Sequence, residues 1–497
     1  MSPRGLTGLS STFHLSRKFP KAQIVLLEKE ARLGGWVRSE RVELPQIGSS
    51  VLLEAGPRTL RPNSMAVLEL IHLLKLENEI ITVPKTAPPA KARFLYIPKS
   101  DLTPNKIAGL QRLPSSILSL LSSPLLPTLL AAIIPEPFRR QIAVVTPPTR
   151  ASISVFSSFG ETFARTFGSA LVHGIYATDS RKLSVRAAFP TIWEAEERGR
   201  GSIVRGLLMP AREEVRRKVQ PWKHYQSNAC ISVYSFKNGM ETLTKALEKS
   251  LLSSNNVSIM TNTHLSGLKK SEDRSIEIYH SHGETLHASH VVSALPLPVL
   301  HNLISTIKPT SSPSSTENPS TTVRVVNFIF PCPPKDVHPE GFGLLQQSSH
   351  TKLTMMTGGP YPQSPLPPYL TSSESQMTPP FIRSLLDQLK VQLGRDIPEP
   401  IYWRIWNNEA CIPTLLPGHL DRMEELKSHL GLSSKPALAQ GSETGWDSRL
   451  AVIGAGVGGV SVGDCIEAGR QVGRNWGESI NFNDGLFWFL LLILNSG

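Results

Sequence analysis

Gly5-Leu6-Thr7-Gly8, a helix-like run, Ile24-Val25-Leu26-Leu27-Glu28-Lys29, and then Leu33-Gly34-Gly35-Trp36-Val37-Arg38-Ser39: this stretch decides the fold. In a dinucleotide-binding βαβ unit, the last two glycines of G-x-G-x-x-G admit the pyrophosphate and the helix packing. An acid about 20 residues on then takes the ribose hydroxyls. Gly5 and Gly8 have the relative spacing of those two glycines, and Glu28 lies 20 positions after Gly8. Four residues precede Gly5, too few for the first strand and first glycine, so the unit reads as truncated.

Gly-Leu-Thr-Gly alone also fits an ordinary turn. The second glycine pair tips the reading. A Gly-Gly doublet six residues after a strand-ending acid, followed by Arg38 and Ser39, places backbone N–H groups and a cation against phosphates, as flavoproteins do. The two features together point to FAD.

The chain has 497 residues, enough for about two or three domains with real cores. Its 52 Lys+Arg against 40 Asp+Glu give a net charge of +12, compatible with an anionic membrane surface or an acidic substrate. No nucleic-acid motif and no basic run with interleaved aromatics is present, so nucleic acid is not an expected partner. Cys230, Cys332, Cys411 and Cys465 form no C-x-x-C pair, which predicts isolated thiols and no metal site. Neither a secretory signal nor a convincing transit peptide is read at the amino terminus, which itself reads as incomplete.

Further on, Val51 to Glu54 reads as a strand entering a Gly56-Pro57-Arg58-Thr59 turn, able to offer N–H groups and a guanidinium to an anion or a flavin ring, or to be a plain capped turn. An amphipathic helix is expected over 64–81, and a strand with a cation at its mouth over 91–98. From Leu113 to Pro135 there is no charge, yet Pro114, Pro124, Pro127 and Pro135 argue against a spanning helix. Short helices, packed or lying on a membrane face, are expected there. His173 reads as an ordinary histidine and Gly174 as a close-approach point or a helix end. A solvated helix is expected over 194–205, and α/β alternation resumes after residue 228. Gly341 to Leu345 and Lys352 to Gly359 read as apolar strands that could line a slot for a flat ligand or simply pack a core.

Near the end, Gly454-Ala455-Gly456-Val457-Gly458-Gly459 matches G-x-G-x-x-G literally after a strand. No second strand with an acid follows, so this reads as a helix amino terminus aimed at a flavin ring, where its dipole favours negative charge. Leu486 to Leu494 is an apolar tail too short to span a bilayer.

These pieces together resemble the protoporphyrinogen oxidases of fungal and animal type. The resemblance rests on Leu33 to Ser39, Ala55 to Arg58, Arg93 to Tyr96, Gly341 to Gly343, and Gly459 to Cys465. It implies an α/β fold: a discontinuous FAD-binding Rossmann-like domain (1–62, 228–296, 440–480), a mixed α+β substrate domain (191–227, 297–439), a helical membrane-binding domain (63–190), and an atypical apolar tail (481–497). By the resemblance, FAD would contact Gly5, Gly8, Glu28, Lys29, Gly34, Gly35, Trp36, Arg38, Gly56, Pro57, Arg58, Thr59, Val257, Ala455, Val460, Ser461 and Val462. Protoporphyrinogen IX would lie against Leu171, Gly174, Phe342, Leu345 and Met356, with Arg93 facing a propionate. Also implied are molecular oxygen as acceptor, hydrogen peroxide as product, a place on the intermembrane-space face of the mitochondrial inner membrane, and a homodimer. No general base is named, because the flavin carries the chemistry. Two departures stand out: the missing first strand, and a short segment between Leu345 and Lys352. Rival readings are another FAD amine oxidase or desaturase, which would not need Arg93, and a non-catalytic relative without FAD.

Overall fold

The computed structural model describes residues 4–99, 107–138, 156–210, 230–273, 275–305, 318–341, 349–359, 379–430, 446, 449–475 and 488–493. At its centre lies a parallel sheet with strand order Leu450–Val452, His290–Ser293, Trp488–Ile493, Gln23–Glu28, Val257–Met260. A parallel sheet covered on both faces calls for strands that are apolar throughout. Ile24-Val25-Leu26-Leu27 and His290-Val291-Val292 meet that demand.

Ile24 and Leu26 face a core shared with Leu6, Leu9 and Phe13 of the Arg4–Lys18 helix and Leu243 and Leu247 of the Glu241–Leu252 helix. Leu27 faces the other way, onto Leu268, Ile278 and Leu300. Those residues belong to a three-stranded antiparallel sheet (Leu265–Lys270, Ile276–His280, Thr285–Ala288) and to the helix Leu297–Ser305.

The Arg4–Lys18 helix is in place from its first turn, so Gly5 and Gly8 are helical. It lies close against the Val462–Asn475 helix because small residues face each other. Ser10 Oγ donates to Ile466 O at 3.0 Å, and a Cβ at Gly469 would sit 2.6 Å from Ser11 N.

The apolar tail is the main topological surprise. Trp488–Ile493 is no appendage: it runs parallel between Gln23–Glu28 and His290–Ser293, with Gln23 opposite Trp488 and Glu28 opposite Ile493. The central place in the sheet, beside the Arg4–Lys18 helix, is thus held by a strand from the far end of the sequence. An apolar run with β-forming residues is well suited to that doubly covered position.

The second sheet is antiparallel, with Ser320–Phe330 between Thr351–Gly358 and Tyr402–Pro413. Val326, Phe328, Phe330, Leu353 and Ile405 pack on the Pro380–Leu393 helix. The opposite face, with Val323, Val325, Ile329 and Trp406, turns toward Trp36, Leu53, Val172, Tyr176 and Val460.

Several expected boundaries move. The helix predicted over 64–81 is Met65–Leu73, stopped where Lys75 takes φ 57°, and the chain then enters the strand Ile80–Pro84. That strand pairs with Ile231–Phe236, and Val67, Leu70 and Ile71 join the dinucleotide-side core. Residues 65–84 therefore belong with that core and not with a helical domain beginning at 63. The strand expected over 91–98 is Phe94–Ile97, paired with Gly109–Arg112. Likewise Leu300 and Met423 pack under the parallel sheet, although 297–439 reads as substrate domain in the sequence. The helix expected over 194–205 is two helices, Pro190–Arg198 and Ile203–Leu208, broken where Arg200 and Gly201 both take positive φ.

Candidate active site

The carboxyl end of the Gln23–Glu28 strand delivers Glu28, fully buried, to the edge where open α/β sheets receive ligands. Its backbone is held by the next strand's exit, since Thr263 N donates to Glu28 O at 2.9 Å and Asn262 N to Glu30 O at 3.2 Å. Lys29 follows, half-buried.

Gly5 then meets the Gly34-Gly35 doublet. A Cβ at Gly5 would lie 2.6 Å from Gly35 N, and Gly34 and Gly35 take φ of 94° and 57°. Only glycine allows backbones to come this close in such a conformation. Arg32, which the sequence reading passes over, braces this loop: its Nη1 donates to Leu33 O at 2.9 Å and Val37 O at 3.1 Å, and its Nη2 donates to Gly35 O. A basic residue two positions before a Gly-Gly pair is the signal that could have found it. Arg38 is exposed.

The Gly56-Pro57-Arg58-Thr59 turn leaves the Ser49–Glu54 strand. Glu54, 5% exposed, accepts from Met240 N at 2.9 Å and from Ser39 Oγ at 2.7 Å. Burial pushes its carboxyl up to about 6, against the pull of those two donors. Arg58 and Lys352 are both open to solvent along their side chains, yet protein crowds around them closely enough to lower both pKa values by desolvation. Both cations lie near enough to the Glu54 carboxylate for its charge to act on them.

The carboxyl-terminal contribution is the turn before the Val462–Asn475 helix. Gly454 and Gly459 take φ of 122° and 149°, Ala455 is buried, and Val460 packs in the cluster that also holds Trp36 and Tyr176. Ser461 and Asp464 close the helix start on each other, with Asp464 N donating to Ser461 Oγ at 3.1 Å and Ser461 N to Asp464 Oδ2 at 3.0 Å. The helix amino terminus is thus self-capped at Ser461. Trp36 Nε1 is shielded from solvent and has no acceptor among the described residues.

Leu171 and Gly174, three apart, present one exposed edge of the helix Ser169–Tyr176. The end of the Thr351–Gly358 strand reaches that helix, as a Cβ at Gly359 would stand 2.5 Å from Ala177 O and 2.8 Å from His173 Cε1. Met356, 46% exposed, lies on that strand. Burial lowers the pKa of the His173 imidazole. Arg93 is exposed, with Nη1 donating to Pro89 O at 3.1 Å and Ala92 O at 2.7 Å, and Gly341 packs against Ala92. Phe342 and Leu345 lie outside the described residues.

One predicted contact is not brought to this group. Val257 opens its strand and pairs with Ile24, so it sits at the amino edge of the sheet, roughly 10 Å of strand away from Met260. The residues that do stand beside Glu28 are Asn262 and Thr263. The offset is one strand length, a shift that motif spacing cannot detect.

The family model for flavin containing amine oxidoreductases matches residues 6–378. The protoporphyrinogen oxidase of Schizosaccharomyces pombe is 30% identical over 522 aligned positions, covering 96% of this chain and 98% of that protein. The chain belongs to the protoporphyrinogen oxidases. The human protoporphyrinogen oxidase is 28% identical, with 94% of this chain and 95% of that protein covered. A crystal structure from Exiguobacterium sp. 255-15, itself only provisionally assigned as a protoporphyrinogen oxidase, aligns with TM-score 0.67 at 17% identity, covering 95% of this chain and 96% of that one, which shows the shared fold.

As a protoporphyrinogen oxidase the chain is a flavin-dependent oxidoreductase of porphyrin synthesis. The residues present fit a flavin: glycines whose backbones pack too closely for any Cβ, an indole N–H buried without an acceptor among the described residues, and two exposed cations, Arg58 and Lys352, near the Glu54 carboxylate that precedes the Gly56 turn. When bound, a flavin supplies the two-electron acceptor, and the protein supplies position and electrostatics. Gly5, Gly34 and Gly35 bring N–H groups close, and Trp36 and Val460 wall the cradle toward the Ser169–Tyr176 helix.

Proposed function

We propose that this chain oxidises protoporphyrinogen IX to protoporphyrin IX with FAD, in haem synthesis. Six electrons and six protons leave the porphyrinogen, and three molecules of oxygen take them up as three of hydrogen peroxide. The observation that carries this reading is the single apolar cluster in which Trp36 and Val460, from the glycine-rich side, meet Val172 and Tyr176 of the helix that bears Leu171 and Gly174. This cluster supports the reading because it puts apolar side chains between the glycine-rich loop and the exposed Leu171–Gly174 edge, a wall that suits a flat, hydrophobic macrocycle. Glu28 would take the ribose hydroxyls of FAD, and the Gly34-Gly35 doublet its pyrophosphate.

Arg93 would face a propionate at the rim, its guanidinium already steered by the Pro89 and Ala92 carbonyls. This separates the reading from a general amine oxidase or desaturase. Arg93→Ala should raise KM for protoporphyrinogen several-fold, and unchanged turnover would favour the rival. The direct test is purified protein given protoporphyrinogen in air: FAD released on denaturation, porphyrin fluorescence appearing, and three peroxides formed per porphyrin. A FAD-replete protein that yields no porphyrin would overturn the proposal.

The reading extends to a membrane surface, on the intermembrane-space face of the mitochondrial inner membrane. Among the described residues no helix is long and apolar enough to cross a membrane. Leu118 (79% exposed), Phe138 (83%) and Leu208 (83%) instead stand out from short helices. Glu136 ties two of these pieces together, accepting from Ser202 Oγ at 2.5 Å and Ile203 N at 2.8 Å. Exposed apolar side chains of this kind, two of them on pieces joined through Glu136, suit an interfacial contact.

A further inference from the structure

The turn that carries Gly56 and Arg58 is gripped from an unexpected direction. Three carbonyls at the end of the Ser49–Glu54 strand and just beyond it accept side-chain hydrogen bonds from three different strands of the antiparallel sheet. Lys352 Nζ donates to Leu52 O at 2.7 Å, Asn327 Nδ2 to Glu54 O at 3.2 Å, and Asn408 Nδ2 to Ala55 O at 2.7 Å. The strand register explains how they share a face: Asn327 stands opposite Thr354 and Ile329 opposite Lys352, while Val323 stands opposite Asn408. Met356, opposite Val325, lies on that same face.

Asn327 and Asn408 are 1% and 4% exposed, in a face otherwise built of Val323, Val325, Ile329 and Trp406. A buried amide among apolar side chains is costly unless it is bonded. Thr354 Oγ1 donates to Asn327 Oδ1 at 2.7 Å, which fixes the amide so that its N–H2 points at Glu54 O. The Glu54 side chain is anchored separately, through Ser39 Oγ and Met240 N, so strand end and turn are clamped from both sides.

We infer that Asn327 and Asn408 are positioning residues for the oxidation: they act through the Glu54-Ala55 backbone to set where the Gly56–Arg58 turn stands relative to the sheet face that carries Met356. The inference rests on the flavin reading of that turn. It assigns the antiparallel sheet a second task besides walling the substrate slot, since a displacement of its face is passed directly to the turn.

The test uses the full-length FAD-loaded protein and the variants Asn327→Asp and Asn408→Asp, which keep shape and lose the donor, with Asn408→Leu as an uncharged control. Hydrogen exchange read by mass spectrometry over residues 52–62 should quicken by about tenfold or more, the effect of losing one buried hydrogen bond. Exchange in the Pro380–Leu393 helix, on the other face of the sheet, should stay as in the parent. The visible absorption and circular dichroism of the flavin should shift, and kcat should fall about tenfold with KM within about twofold. Unchanged exchange over 52–62, or exchange that quickens equally in 380–393, overturns the inference, the second because it marks plain loss of fold. A parent that makes no porphyrin would sink the proposed reaction and leave the exchange comparison to decide the clamp.

Discussion

Gly5 stands against Gly35 with no room for a side chain between them, a Cβ on Gly5 reaching within 2.6 Å of Gly35 N. The contact joins the first turn of the Arg4–Lys18 helix to the loop that follows Glu28, and so fixes the two pieces whose N–H groups are proposed to face the pyrophosphate. Backbone cannot yield here as a flexible side chain could. Gly5→Ala should therefore force the two apart, costing about 1–3 kcal/mol as overpacking does. The measurement is FAD titration into the apoprotein, with affinity expected to fall at least about tenfold; unchanged affinity would place the phosphates elsewhere.

The carboxyl-terminal strand yields a second prediction. Trp488–Ile493 is paired along its whole length with Gln23–Glu28 and through Phe489 to Leu492 with His290–Ser293, so removing it opens the centre of the sheet. Truncation before residue 486 should abolish cooperative unfolding and flavin retention together. A truncated chain with the parent's melting temperature would show that the strand is dispensable.

Acid stability follows from three histidines. His14, His290 and His419 are each lowered to about 4, burial being the main cause in all three. Their folded pKa values lie below the ordinary 6.5, so the unfolded chain binds protons more tightly. Stability is full above pH 6.5 and drains away as pH falls toward 4, on the order of 3 kcal/mol for each site. Denaturant midpoints measured between pH 4 and 7 should rise with pH. A flat profile would contradict the burial of these rings.

Glu54 works in the opposite sense. With its pKa raised from 4.5 to about 6, the folded state binds the proton more tightly, and stability is lost as pH climbs through that window. The parent should lose about 2 kcal/mol relative to Glu54→Gln between pH 4.5 and 6.5. If the difference between the two proteins does not vary with pH, the carboxylate is not desolvated.

For the surface, replacing Leu118, Phe138 and Leu208 together by Glu should strip the protein from anionic vesicles in flotation while leaving porphyrin formation in detergent within about twofold. Equal flotation of parent and variant would remove this face from any membrane contact.

Much of the parallel core was legible because its strands are unbroken apolar runs: Ile24 to Leu27, Val257 to Met260 and Val291 to Ser293 all stand where the pattern places them. The glycine cradle was legible too, since Gly5, Gly34 and Gly35 mark close backbone approach. Other features escaped for physical reasons. The tail's short apolar run carries no information on which sheet it will join, because parallel pairing is a contact between distant segments. Arg32, Asn327 and Asn408 act by donating to backbone carbonyls, and a carbonyl leaves no trace in sequence. Lys75 ended a helix through a left-handed backbone that no glycine announced.

The most direct measurement is anaerobic. Oxidised, FAD-loaded protein mixed without oxygen with protoporphyrinogen IX should lose its visible flavin absorbance in a single rapid phase, and admitting air should restore it as porphyrin fluorescence grows. A flavin band that persists in the presence of excess protoporphyrinogen would contradict the account at its centre.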